Sequence, residues 1–188
     1  MTPSTAAPTV PGLDFTLDPE LTDRLRAEIV TLWTDVSNAG GSVGFVPPVT
    51  EQRVLPTAVQ QFAHVGGPAD PDADRLLIAR AGGELVGVLF FESMRFDLMD
   101  HWRLLKRVMV CPTMQGRGYG AALLAEAERI ARSWGLAGLR LTVRGGMGLE
   151  RFYGRCGYQE VGRVPGAIRV GPGDERDDIT FWLELREG

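Results

Sequence analysis

The stretch Val108-Met109-Val110-Cys111-Pro112-Thr113-Met114-Gln115-Gly116-Arg117-Gly118-Tyr119-Gly120-Ala121 runs from an apolar strand-like segment, through a glycine-rich turn, into an amphipathic segment. Backbone N–H groups at a helix start have no partner within the helix, and the positive end of its dipole lies with them. Such a turn is an anion site. Its glycines let a pyrophosphate approach the main chain with no Cβ in the way, and Arg117 adds a positive side chain. A lone glycine-rich turn is more often only a turn, but the strand before it and the long helix after it argue for the anion site.

Two nucleotide signatures fail here. Gly116, Gly118 and Ala121 satisfy G-x-G-x-x-A, and Arg144 would suit a 2′-phosphate, yet that fingerprint belongs after the first strand of a parallel series. Here it follows an antiparallel meander, and too few residues remain behind it for a Rossmann fold. A P-loop needs G-x-x-x-x-G-K-[ST], and this turn has no Lys.

Working outward, Met1 to Gly12 is a Pro/Thr/Ala tract with little to bury and is expected to be a flexible tail, leaving 13–188 as one domain. A short strand is predicted over Leu13 to Leu17. Asp18-Pro19-Glu20 then reads as a helix start, followed by Leu21, Leu25, Ile29, Leu32, Trp33 and Val36 at helical spacing. A second helix is predicted from about Thr50 to His64. Arg75 to Arg80 and Glu84 to Met94 form a hairpin about Ala81-Gly82-Gly83, and Trp102 to Val110 is the next strand. Gly120 to Gly135 carries Leu123, Leu124, Ala127, Ile130, Ala131 and Trp134 on one helical face. A strand over Leu139 to Val143, a short helix over Leu149 to Arg155, and strands over Gln159 to Val164 and Asp178 to Leu185 about a Gly/Pro turn complete the chain.

Composition narrows the function. The 188 residues, 44% hydrophobic and 23% charged, allow a sizeable core and exclude a wholly disordered or collagen-like chain. A net charge of −4 supplies no global positive field for a nucleic-acid backbone. No apolar run approaches the roughly 18 residues needed to span a bilayer. Cys111 and Cys156 form neither a CxxC nor a Cys/His cluster, so neither a disulfide framework nor a metal site is expected, and a cytoplasmic setting is the default.

The chain resembles the GNAT superfamily of acetyl-CoA-dependent N-acetyltransferases. Gln115-Gly116-Arg117-Gly118-Tyr119-Gly120 matches that family's pyrophosphate signature Q/R-x-x-G-x-G/A, and Phe152-Tyr153-Gly154-Arg155-Cys156-Gly157-Tyr158 resembles its F/L-Y-x-x-x-G-F/Y pattern. The loop Gly40 to Pro48 and the stretch Gly145 to Tyr153 are similar to a subgroup that includes tabtoxin-resistance-type enzymes. The resemblance implies an α/β domain with a mixed, mostly antiparallel central sheet, helices on both faces, and a splayed strand pair that holds acetyl-CoA. It implies that Val108, Met109 and Val110 meet the pantetheine arm, with the Val110 N–H as oxyanion donor, and that Gln115 to Ala121 hold the pyrophosphate. It places Tyr153 near the thioester sulfur as proton donor. Two departures stand out: Gly146 replaces a frequent Asn, and Leu104 falls where a carboxylate base is often found.

With that position apolar, His101 and Glu92 are the candidate bases, and Asp97 and Asp100 stand behind them, acting through water. Phe45, Val46 and Trp102 are expected to line the acceptor pocket. The implied function is acetyl transfer to a primary amine of a small molecule, since an acidic chain suits a cationic amine. The alternatives are a protein N-terminal or lysyl acetyltransferase and a CoA-binding sensor without catalysis. A homodimer is left open.

Overall fold

The computed structural model describes residues 10–186. Strands β1 (Leu13–Leu17), β2 (Arg75–Ala81), β3 (Glu84–Glu92), β4 (Trp102–Val110), β5 (Gly138–Arg144), β6 (Gln159–Gly171) and β7 (Asp174–Glu184) form one sheet in the order β1-β2-β3-β4-β5-β7-β6. Every neighbouring pair is antiparallel except β4 with β5. Helices α1 (Asp23–Asn38) and α2 (Glu51–Ala63) cover one face, and α3 (Tyr119–Ser133) and α4 (Leu149–Arg155) the other. The expected fold class holds. The tail expected over Met1 to Gly12 lies, up to residue 9, outside the described residues.

The two cores follow from strand alternation. In β2, Leu76 and Ile78 pack under α1 and α2 while Leu77 and Ala79 face α3, which is why this strand reads as a continuous apolar run. On α3, the predicted face of Leu123, Leu124, Ala127, Ile130 and Ala131 is buried.

Two sequence expectations need correction. Helix α1 starts at Asp23, not at Asp18, because Thr22 is the N-cap, its Oγ1 accepting from Leu25 N–H at 3.2 Å. Asp18 is instead left-handed, and its carboxylate takes the Arg75 guanidinium and the Leu76 N–H. The second correction concerns the last hairpin, whose strands run well past Val164 and begin well before Asp178. Its exposed ribbon is held by Arg163 with Glu160 and Asp177 and by Arg169 with Glu175, and Pro165 sits where the register shifts on the edge strand.

The β4–β5 pairing decides what the sheet can do. It spans only Trp102↔Gly138, Arg103↔Leu139 and Leu104↔Arg140. Its base is locked: Ala137 N–H donates to the His101 carbonyl at 2.7 Å, and Trp102 packs edge-on against Trp182. The Trp182 ring occupies the space a Cβ at Gly138 would need. Gly138→Ala is therefore expected to destabilise the fold by about 1–3 kcal/mol, the usual range for overpacking. Urea unfolding checks this: a lowered midpoint that Trp182→Leu partly restores in the double variant is the expected result, and an unchanged midpoint contradicts the packing.

Candidate active site

Beyond Leu104 the two strands separate, and the gap opens into a cavity of about 440 Å³. Strand β4 lines it with Leu105, Arg107, Val108 and Val110, and β5 with Leu141, Thr142 and Val143. The glycine turn contributes Gln115, Gly116, Gly118, Gly120 and Ala121, α4 contributes Leu149, Phe152 and Tyr153, and the loop after α1 contributes Gly41, Ser42 and Val43.

Val110 is aimed by the β3–β4 ladder. Its register partner is Gly87, and Cys111 N–H donates to the Val86 carbonyl at 2.8 Å. In antiparallel pairing this bond makes Val110 and Gly87 a pair that does not exchange hydrogen bonds, so the N–H and C=O of Val110 point away from β3 and into the gap. The side-chain Nε2 of Gln115 donates to that carbonyl at 3.3 Å, and the Val110 N–H has no acceptor among the described residues.

The turn has the geometry of an anion cradle. Gly116 and Gly118 have φ of +77° and +86°, and Gly118 caps the 15-residue α3 in the left-handed region. The first helical bond is from Ala122 N–H to the Gly118 carbonyl, and the amides from Gly116 to Ala121 donate to no acceptor among the described residues. Gly120 serves a different need, since a Cβ there would come within 3.2 Å of the Phe152 ring.

Tyr153 is 7% exposed and packed among Phe152, Tyr158 and Phe181, and its hydroxyl has no hydrogen-bond partner among the described residues. Burial pushes the phenol well above the usual tyrosine range, so it stays protonated at neutral pH.

Not every residue singled out in the sequence reaches the cavity. Met109 is fully buried under α1 and α2, Arg117 points to solvent, and Tyr119 packs into the α3 core. His101 lies at the locked base of β4, about 30 Å of strand from Val110. Glu92 is ion-paired with Lys106 at 2.9 Å. Phe45 packs edge-on against Trp33, Val46 is exposed, and Trp102 is closed against Trp182, so none of the three lines the cavity. No carboxylate or imidazole lines it among the described residues. Among the described residues, no group of three or more His, Cys, Asp or Glu is placed to hold a metal, and no helix is long and apolar enough to cross a membrane.

Sequence reasoning missed Arg107. Its signal was Lys106-Arg107, two successive charges in an apolar strand, where strict alternation would send one of them into the α3 core.

Residues 48–158 match the model of the acetyltransferase (GNAT) family. An 88-residue segment is 31% identical to the tRNA uridine(34) acetyltransferase of Methanocaldococcus jannaschii, covering 40% of this chain but only 16% of that protein. Among solved structures, a candidate phosphinothricin N-acetyltransferase superposes with a TM-score of 0.72 at 20% identity over 93% of this chain and 99% of that one. The ribosomal-protein-S18-alanine N-acetyltransferase of Escherichia coli gives 0.67 at 16% identity, over 93% and 96%. Salmonella typhimurium yncA, solved with acetyl-CoA, gives 0.68 at 17% identity, over 94% and 96%. With the family's model matched over more than half its length, this chain belongs to the GNAT family of acetyltransferases.

Proposed function

We propose that this chain transfers the acetyl group of acetyl-CoA to a primary amine of a small molecule by direct attack on the thioester. The observation that carries this reading is the gap between β4 and β5, with an unspent Val110 N–H on one wall and Tyr153 on another. In this reading the free amides of Gly116 to Ala121 take the pyrophosphate at the positive end of α3. The edge of β4 left bare beyond Leu104 takes the pantetheine amides. The Val110 N–H steadies the oxygen of the tetrahedral intermediate, a contribution of about 10² to 10³ in rate for such donors. As the intermediate collapses, the C–S bond breaks, Tyr153 gives its proton to the departing thiolate, and the proton shed by the attacking nitrogen passes through water to restore the phenol.

A small acceptor is favoured by the loop from Gly40 to Val49, which closes one side of the cavity and is fixed at both ends. Asn38 brackets Val49 with two hydrogen bonds of 2.9 Å, the Trp33 indole donates to the Val43 carbonyl at 2.8 Å, and Arg144 donates to the Gly40 carbonyl at 2.7 Å.

With no carboxylate or imidazole on the cavity wall among the described residues, the amine must arrive neutral or lose its proton to water. The rise of kcat/KM with pH should then follow the acceptor's own amine pKa. Profiles for two acceptors whose amines differ by about two pK units should be displaced by that amount; coincident inflections would reveal an enzymic base. Tyr153→Phe keeps the ring and removes only the donor. Single-turnover transfer is expected to fall by about 10² to 10⁴-fold with acetyl-CoA affinity and unfolding midpoint nearly unchanged. A wild-type rate would make Tyr153 a packing residue.

A further inference from the structure

Arg107 occupies a conformation that needs a reason. It sits in β4 at φ +53°, in the stretch where the β3–β4 register slips between Val88↔Met109 and Phe90↔Lys106. The slip is a bulge, and it re-aims a side chain. Lys106 shares a face with its register partner Phe90, under α1 and α2. Arg107 takes the same face instead of alternating, and its guanidinium lies 4.7 Å from the centroid of the Trp33 ring. Gly44 passes so close that a Cβ there would sit 3.2 Å from Nη1.

This placement leaves a charge without a counter-charge. Nε is closed off from solvent with no hydrogen-bond partner, and no carboxylate reaches ion-pair distance among the described residues. Glu92 is the acid whose field acts on Arg107, but it is closed on Lys106. Burial draws the guanidinium's pKa down from its usual value, though arginine keeps its proton. Arg107 is half-buried, and a charge drawn even partly out of water without a partner is unfavourable. The guanidinium thus lies over an indole at a cavity wall.

We propose that Arg107 anchors a carboxylate on the acceptor, so that the substrates are amines that also carry an acid group, amino acids in the broad sense. This rests on reading the cavity as an acetyl-transfer site. The planar fork of arginine matches a carboxylate with two parallel hydrogen bonds. The anion sites of the cofactor are supplied elsewhere on the cavity wall by the turn at α3, and Arg107 belongs to the wall formed with Gly41 to Val43.

The test is thiol release from acetyl-CoA with matched pairs of L-amino acids and their carboxamides, rates corrected for the fraction of free amine. The wild-type protein is expected to favour the acids by roughly ten- to a hundredfold in kcat/KM. Arg107→Met, which keeps the apolar stem on Trp33, should abolish that preference by lowering the acids alone, with KM for acetyl-CoA unchanged. Arg107→Lys should retain part of it. Equal use of acids and carboxamides by the wild type overturns the assignment, as does an Arg107→Met variant that slows both alike or raises only the KM for acetyl-CoA. Transfer to amines without a carboxylate preference removes the role of Arg107 and leaves the acetyl-transfer reading standing. Transfer to no small amine removes both. If Arg107→Met does not fold, the wild-type ratio and Arg107→Lys decide.

Discussion

The pairing of β4 with β5 stops at Leu104↔Arg140, and the rest of the site depends on that stop. A strand edge left bare inside a sheet carries backbone donors and acceptors, each unfavourable by about 1–3 kcal/mol if buried without a partner. Such an edge is also a template for an extended ligand with amide groups of its own. The base of the pair cannot slip, because the Trp102–Trp182 contact and the bare Cα of Gly138 lock it. The divergence is therefore held open by the fold before any ligand arrives.

Everything chemical then converges on the open end. The β3–β4 ladder turns the Val110 N–H into the gap, the left-handed Gly118 points free amides at its mouth, and α4 hangs Tyr153 over its far wall. A seven-residue helix has little stability of its own. What fixes α4 is packing: Phe152 sits on Gly120, and Tyr153 lies among Tyr158 and Phe181. Tyr153 thus belongs to both the core and the cavity.

The sheet, its flanking helices and the glycine turn were legible because they rest on local signals. The apolar run of Leu76 to Ala79, the apolar face of α3, and the Gln115 to Gly120 signature need no knowledge of distant contacts. The acceptor side was not legible. Phe45, Val46 and Trp102 have the residue types of a pocket wall, but tertiary packing sends Phe45 to Trp33 and Trp102 to Trp182, and leaves Val46 in solvent. His101 is the residue type most often used as a base, yet it stands at the wrong end of a nine-residue strand. Arg107 shows the converse, since its position depends on a bulge whose trace in the sequence is only a broken alternation. Gly146, at φ +79°, stands where the family resemblance leads one to expect Asn; these two residue types tolerate the left-handed region best.

The most direct test of the gap as the seat of acetyl-CoA is amide-resolved hydrogen exchange by NMR on the whole chain, with and without the cofactor. Binding should slow exchange at Val110 and from Gly116 to Ala121, while the already paired amides of Trp102 to Leu104 stay as they were. Saturating acetyl-CoA that leaves Val110 and the turn exchanging at their free rates, with protection gathered elsewhere, would contradict the account.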